Sequence, residues 1–412
     1  MYNTNQWHEA LAGRRVFLST YGCAYNFGDS DLLVAVLKNQ GSVIVPEPSQ
    51  ADAIIINTCI VIQATERKMC KEIMAYPNRE VYVTGCLPLA RPELITCLPH
   101  VRIIHPDSIH EAARTIPYTH QGPIAVVQTG PGCVGSCRYC ITRCARGTIR
   151  SVPPSIIYAR IATCAAGGAV EIRLAGQDLA AYGRDTGAWT LATLLKGVPP
   201  LPEHVRIRLG MMNPATLLPI ADEVALAIKN GPFFAFLHLP IQSGSDKVLN
   251  LMGRGYHVAD VLHIIDTFRT LVPGITIATD IITGFPGESQ EDHEKTMDLI
   301  RRLSFGMVNV TRYSWRPGTG IHPDEVLPDR IRKERSRAII REAYAILHAA
   351  HEQKIGHIMT VIPTERIRPG SVMARSGSYE GVVLADEYPL GVPCTVRITS
   401  CTPHYLIGEV LP

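Results

Sequence analysis

Three apolar runs near the amino terminus each stop at a cysteine: Arg15–Thr20 before Tyr21-Gly22-Cys23, Ala53–Asn57 before Thr58-Cys59, and Val81–Thr84 before Gly85-Cys86. A helical pattern from Asp29 to Gln40, opened by Asp29 or Ser30 and closed by Gly41, separates the first two runs. A second helical pattern, from about Ala64 to Ala75, separates the next two. Strand and helix alternating at this spacing predict a parallel sheet with right-handed crossovers. All three cysteines then lie along the carboxyl edge, where open α/β sheets place their ligands. One cysteine at a strand end means little, because cysteine is a common core residue. Three at successive strand ends, two of them after glycine, point to a metal cluster with three thiolate ligands and one open iron. Cys70 and Cys97 lack that placement and read as core or surface thiols.

A second trio follows another apolar run, Ile124–Thr129, in Gly130-Pro-Gly-Cys133-Val-Gly-Ser-Cys137-Arg-Tyr-Cys140. Three thiolates spaced Cx3Cx2C can hold three irons of a [4Fe–4S] cube and leave the fourth open to chelate a small molecule. Structural zinc would want four ligands, usually in two separated pairs. Cys144 could extend the run to Cx3Cx2Cx3C, but a fourth thiolate would close the open iron, so it reads as a spectator.

Five more strands are expected after this loop: Glu171–Gln177, Arg206–Met212, Phe234–Pro240, Thr276–Gly284 and Met307–Ser314. Helical patterns separate them, at Ser155–Ala166, Ala215–Lys229, Val258–Leu271 and Ser289–Leu303. Six βα units imply a parallel, barrel-like sheet whose working loops follow the strand carboxyl ends. Those loops carry Gln177 and Asp178, Asn213, Gln242, Asp280 and Gly284, polar groups beside Gly and Pro turns of the kind a small zwitterionic ligand needs. Gln177, Asn213, Gln242, Asp280 and Gly284 are candidate cofactor contacts, and Tyr139 is a candidate to stack on a purine ring.

From Gly356 the pattern shortens to five strand candidates with Gly, Pro and Ser turns, at Met359–Pro363, Ser371–Ala374, Gly381–Leu384, Pro393–Ile398 and Leu406–Val410. They predict a small β-barrel, an architecture that often binds nucleic acids. The formal net charge is only +3, so any nucleic-acid surface must be local. Candidates are Arg143, Arg146 and Arg150 near the second trio and Arg366, Arg368, Arg375 and Tyr379 in the last segment. Arg138 and the run Arg330, Arg332, Lys333, Arg335, Arg337 and Arg341, on an expected long helix to about Ala350, add to the basic character. The start, from Met1 to Glu9, lacks a charged-then-apolar signal pattern, and no uninterrupted apolar stretch reaches ~18 residues. Twelve cysteines in such a chain favour metal or redox chemistry over disulfides and imply a reducing cytoplasm, without a membrane partner.

The motifs Thr20-Tyr-Gly-Cys23, Ile56-Asn-Thr-Cys59, Thr84-Gly-Cys86, Gly132-Cys…Cys140, Pro240-Ile-Gln-Ser-Gly244 and Asp280-Ile-Ile-Thr-Gly-Phe-Pro-Gly287 resemble, together and in order, the methylthiotransferases of the radical S-adenosylmethionine superfamily. The resemblance covers nearly the whole chain. It implies an α/β protein of three parts: residues 1–118 as an N-terminal parallel α/β domain with an auxiliary cluster, 119–351 as a partial (β/α)6 radical core, and 352–412 as a TRAM-like RNA-binding β-barrel. It implies two [4Fe–4S] clusters, held by Cys133, Cys137 and Cys140 and by Cys23, Cys59 and Cys86, with S-adenosylmethionine on the first and the transferable sulfur on the second. A radical fits the chemistry, since an unactivated C–H bond has no acidity for a base to use. Asn57-Thr-Cys59 with Ala64-Thr-Glu66, and Cys140-Ile with Ala145-Arg-Gly147, look most like the archaeal and eukaryotic branch. That branch adds methylthio to C2 of N6-threonylcarbamoyladenosine at position 37 of tRNA. The alternatives are another tRNA adenosine such as isopentenyladenosine, a ribosomal-protein aspartate, or a non-enzymatic iron–sulfur RNA-binding sensor. The resemblance further implies an electron donor, a sulfur source and action as a monomer. Cys144 and Ile60-Val-Ile62 depart from the usual pattern without disturbing a ligand. Two open irons must face one substrate, so the first sheet edge is expected over the mouth of the barrel.

Overall fold

The computed structural model describes residues 6–114, 116, 118–120 and 122–412. The first residues of the polar start, Met1 to Asn5, lie outside that description. The opening unit is a five-stranded parallel sheet of β1 (Arg15–Thr20), β2 (Val43–Val45), β3 (Ala53–Thr58), β4 (Val81–Gly85) and β5 (Val101–Ile103), in the order β2-β1-β3-β4-β5. Short β2 and β5 were not anticipated, being three residues each with little apolar signal. The expected strands match closely because β3 and β4 are buried on both faces and read as continuous Ile and Val runs. Helix Ala24–Asn39 corrects an expectation: it starts five residues before Asp29, with Cys23 as its N-cap. Asp29 looked like a capping residue but lies buried in the second turn, in an ion pair with Arg146.

The central unit carries six parallel strands: β6 (Ile124–Gln128), β7 (Glu171–Ala175), β8 (Arg206–Leu209), β9 (Phe236–His238), β10 (Thr276–Thr283) and β11 (Met307–Arg312). They form two three-stranded sheets, β6-β7-β8 and β9-β10-β11, joined by bridges Ile207–Phe233 and Met211–His238. Among the described residues no pairing links β6 to β11, so the sheet curls as an open, partial barrel. Ile172, Leu174, Ile207, Leu209 and Leu237 face the surrounding helices in the main core. The alternate positions, including Arg173, Arg208, His238 and Asp280, face inward. The single helix expected over Ala215–Lys229 is broken: Pro214–Leu217, a 3-10 turn at Leu218–Ile220, then Ala221–Asn230. Pro219 supplies the break, having no amide hydrogen to continue the ladder.

The long helix Asp329–Glu352 leads to a closed antiparallel-rich barrel of β12 (Ile358–Arg368), β13 (Ser371–Ser376), β14 (Gly381–Ala385), β15 (Cys394–Cys401) and β16 (Leu406–Val410). The turn after β13 reaches under the central sheet. There Ala235 N donates to Gly377 O at 2.9 Å, and Tyr379 packs against Phe234, Phe236 and Ala278. Among the described residues no helix is long and apolar enough to cross a membrane.

Candidate active site

The strand order β2-β1-β3-β4-β5 reverses direction between β1 and β3, which in doubly wound sheets opens a crevice at the carboxyl edge. Cys23 and Cys59 flank that crevice and Cys86 follows β4 beside it. Gly22, at φ +111°, lets the chain pass close: a Cβ there would stand 2.8 Å from the Cys59 Cβ. Asn26 ties the strand ends together. Its Nδ2 donates to Tyr21 O (2.9 Å) and Thr58 O (2.8 Å), and its Oδ1 lies 3.9 Å from both Cys23 Sγ and Cys86 Sγ. The same Oδ1 accepts from Arg146 Nη2 at 2.8 Å.

The second trio lies on the loop after β6. Gly135 N donates to Cys133 Sγ at 3.2 Å, and a Cβ on Gly135 would touch the sulfurs of Cys133 (3.4 Å) and Cys137 (3.6 Å). Arg254, buried, is the hub on the other side. Its guanidinium donates to Cys137 Sγ (3.3 Å), Tyr139 OH (3.4 Å), Asn213 Oδ1 (3.3 Å), Pro240 O (2.9 Å) and Tyr256 OH (3.0 Å). Sequence reasoning missed Arg254, because Met252-Gly-Arg-Gly reads as an exposed turn.

As thiols, Cys59, Cys86 and Cys133 resist ionisation. Burial pushes Cys133 up to about 11 and Cys86 up to about 12, the latter eased by the charge of Arg146. A coordinated metal overrides that balance by taking the thiolate outright. Among the described residues no three His, Cys, Asp or Glu side chains close around a single ion. A cube instead offers one iron to each thiolate, so its ligands need not close around a single ion. All twelve cysteines are free. Cys70 is half-buried, Cys97 and Cys144 are exposed, and Cys144 Sγ lies 3.8 Å from Gly318 O.

The candidate cofactor residues gather at the strand ends, with different duties. Gln177 Oε1 is buried without a hydrogen-bond partner, which leaves it available to a ligand. Asn213 caps its helix and holds Arg254. Asp178 accepts from Asn213 N (3.0 Å) and Thr216 Oγ1 (2.8 Å), a structural role. Gln242 is buried at φ +68°, a left-handed conformation that costs a non-glycine residue energy. Asp280 accepts from His238 Nε2 (3.1 Å) and Asn309 Nδ2 (2.8 Å). Burial pushes its carboxyl up, but those bonds and the nearby positive charge prevail and hold it below the ordinary range. Tyr139 meets Phe285 edge-on, with ring centroids 6.1 Å apart. Gly284 departs from expectation: its amide is spent on Glu288 (3.0 Å) and its open side on Arg332. It shapes the turn.

The RNA candidates divide. Arg143, Arg366 and Arg368 are exposed. Arg150 is exposed but pairs with Asp107 at 2.7 Å. Arg146 cannot reach RNA: it is buried in a 2.7 Å ion pair with Asp29. Arg375 and Tyr379 are likewise corrected. Arg375 stacks on the Tyr379 ring at 4.7 Å, and Tyr379 OH donates to buried Glu171 at 2.6 Å. Tyr379 fastens the last barrel to the central sheet, with Arg375 backing its ring. In the basic helix, Arg335 is spent on Glu288 at 2.7 Å and Arg332 on Tyr313 O at 2.6 Å, leaving Arg330, Lys333, Arg337 and Arg341 facing outward.

The two trios converge. Gln128, at the end of β6, donates to Tyr25 O (2.9 Å) and Asp29 Oδ1 (2.7 Å), so the helix that starts at Cys23 is seated on the barrel rim. Gln63 N donates to Ser314 Oγ at 3.2 Å, and Arg316 ion-pairs with Glu66. Between the two units lies a cavity of about 90 Å³, lined by Val61 and Ile62 after Cys59, by Tyr139, Cys140 and Ile141, and by the end of β11.

Residues 127–300 match the model of the Radical SAM superfamily, and residues 15–105 match the model described as "Uncharacterized protein family UPF0004". The chain is 35% identical to the probable threonylcarbamoyladenosine tRNA methylthiotransferase of Methanothermobacter thermautotrophicus, over 97% of this chain and 100% of that protein. It is 30% identical to the human threonylcarbamoyladenosine tRNA methylthiotransferase, over 96% of this chain and 74% of that protein. Among solved structures, the radical S-adenosylmethionine methyltransferase TsrM of Kitasatospora setae superposes with a TM-score of 0.51 at 14% identity, covering 72% of this chain and 73% of that one. That likeness concerns the fold.

Proposed function

The chain belongs to the family of threonylcarbamoyladenosine tRNA methylthiotransferases, and on that premise we propose that it adds a methylthio group to C2 of N6-threonylcarbamoyladenosine at position 37 of tRNA. The observation that carries the reading is the shared cavity: residues two and three places after Cys59 and the Cys140 loop line one space. An enzyme that both activates a carbon and delivers sulfur to it needs both sites to reach the same atom.

Cys133, Cys137 and Cys140 would hold one [4Fe–4S] cluster, and Cys23, Cys59 and Cys86 a second. Bound there, the clusters and S-adenosylmethionine would supply the radical, the methyl group and the sulfur. The chain's own residues do the rest. Arg254 and the Gly135 amide donate to sulfur and steady the loop. Gln177, with its unpartnered oxygen, and Asp280, fixed by His238 and Asn309, offer polar contacts to a zwitterion. Val61, Ile62 and Ile141 give the cavity an apolar wall, which strengthens the polar contacts made inside it. Arg143, Arg150, Arg366 and Arg368 supply exposed positive charge for tRNA phosphates. The reading includes a monomer in the cytoplasm, with an external electron donor and sulfur source.

The test is mass spectrometry of tRNA nucleosides after anaerobic incubation of the reconstituted protein with S-adenosylmethionine and a reductant. Threonylcarbamoyladenosine should gain a methylthio group. If no nucleoside does, the assignment fails.

A further inference from the structure

We infer that the outward stripe of the long helix Asp329–Glu352, made by Arg330, Lys333, Arg337 and Arg341, holds the phosphate backbone of the base-paired RNA stem that carries the substrate loop. This rests on the proposed function and deepens it by naming the surface that receives the body of the RNA, apart from the cavity that receives the base.

Residues 329–341 carry six lysines and arginines against two acids, a net +4, whereas the whole chain carries only +3. The helix sorts these charges by face. Arg335, Ser336, Ile339 and Ala343 are buried on one side. There Arg335 is matched by Glu288 at 2.7 Å, and Arg332 donates to Tyr313 O at 2.6 Å. At about 100° per residue, Arg330, Lys333, Arg337 and Arg341 fall on the opposite side, and all four are exposed. Lys333 is held by Asp329 at 2.7 Å. The guanidinium groups of Arg330, Arg337 and Arg341 make no ion pair or hydrogen bond among the described residues. With Glu334, the one acid among them, they line an open groove of about 590 Å³.

The stripe starts beside the substrate cavity, because Tyr313, which Arg332 holds in the first turn of the helix, belongs to the cavity lining. From there the helix leads to the last barrel, where His351 Nδ1 meets Thr402 O at 2.7 Å. The stretch from Arg330 to Arg341 is about 16 Å long at about 1.5 Å per residue. A row of guanidinium groups of that length fits a row of phosphates, each of which an arginine grips bidentately. The base then enters the cavity while the stem leaves along the helix. An acidic redox protein is the other anionic partner to weigh. It would have to dock beside a cluster, whereas the stripe leads away from the cavity between the two cysteine sites towards the last barrel.

The experiment measures binding of two RNAs to the reconstituted full chain by fluorescence anisotropy over a range of salt. One is an anticodon stem-loop and the other is its seven-nucleotide loop without the stem. The proteins are wild type, the triple variant Arg330→Gln, Arg337→Gln, Arg341→Gln, and Lys229→Gln as an exposed control on helix Ala221–Asn230. The triple variant should bind the stem-loop at least tenfold more weakly at low salt. Its slope of log affinity against log salt should become shallower by about one for each arginine removed. The loop RNA should bind all three proteins alike, and Lys229→Gln should match wild type on both RNAs. Methylthiolation at saturating stem-loop should be retained, with more RNA needed to reach half its maximum. An unchanged slope in the triple variant, or equal loss for the loop RNA, overturns the inference. So does unchanged RNA binding with turnover lost only when flavodoxin replaces dithionite as reductant, which would assign the stripe to an acidic electron donor. If wild type binds the stem-loop as described but methylthiolates no nucleoside, the proposed function fails and the stripe's role as an RNA surface stands.

Discussion

Arg146 and Asp29 form an ion pair at 2.7 Å with both side chains almost wholly enclosed, joining the helix just past one cysteine trio to the helix that begins at the other. The guanidinium also lies 5.0 Å over the Tyr25 ring and donates to Asn26 Oδ1. His110 and Gln128 complete the partners of Asp29, at 2.9 and 2.7 Å. One buried carboxylate therefore ties together elements that carry the two candidate cluster sites.

Removing one member strands a charge. Arg146→Met and Asp29→Asn should each destabilise the protein by about 3–5 kcal/mol, because a buried ion loses its counter-ion. The double variant should lose less than the sum of the two, since neither charge remains. Urea unfolding of the three variants checks this; strict additivity would mean the two residues do not act as a pair.

The same pair predicts an acid limb of stability. Burial raises the Asp29 carboxyl, but Arg146 and the bonds from His110 and Gln128 outweigh it and hold its pKa below the ordinary value. A depressed folded pKa contributes stability that is fully present above the unfolded value of about 3.9 and is lost as pH falls through the folded one. The gap in unfolding free energy between wild type and Asp29→Asn should therefore be level from pH 7 to 5 and shrink below about 4. A gap that widens with acid contradicts the assignment.

Much of this was legible in the sequence. Buried strands such as Ala53–Thr58 declare themselves by continuous Ile, and the strand-end cysteines follow from them. Asp29 and Arg146 were misread for one reason. Sequence displays a charge but not the distant counter-charge that buries it, so an internal acid looked like a helix cap and an internal base like an RNA contact. Tyr379 misled in the same way, since its partners Glu171 and Arg208 come from the central sheet, and Arg375 stacks on its ring. Arg254 was invisible because its five partners are spread over four separate loops or turns.

Arg254 should tune the cluster on Cys137. A guanidinium donating to a ligand sulfur favours the reduced, more negative cluster, so Arg254→Met should lower the reduction potential. A fall on the order of 60 mV corresponds to one decade in a one-electron equilibrium. Redox titration followed by electron paramagnetic resonance reads it. An unchanged potential would restrict Arg254 to packing.

Iron content separates the two sites. Reconstituted wild type should carry about eight irons, and the triple change of Cys23, Cys59 and Cys86 to alanine about four. The corresponding change of Cys133, Cys137 and Cys140 should also leave about four. A total that ignores the first triple change would mean a single cluster.

Gly132 offers a test of the loop that needs no cysteine to be touched. Its φ is +86°, and a Cβ there would run into the carbonyl of Thr148, on the return of the same loop. Backbone cannot yield as a flexible side chain does, and a left-handed alanine adds strain of about 1–3 kcal/mol. Cys133 N is bonded to Gly147 O at 3.2 Å, so the displaced strand would drag the first ligand with it. Gly132→Ala should therefore lose about four irons from the Cys133 site while the Cys23 site keeps its own. Gly187→Ala is the control, away from that loop: a Cβ there meets nothing, although φ is +68°. It should bear backbone strain alone and retain both sets of irons. Full iron in both variants would mean that the contact with Thr148 is dispensable.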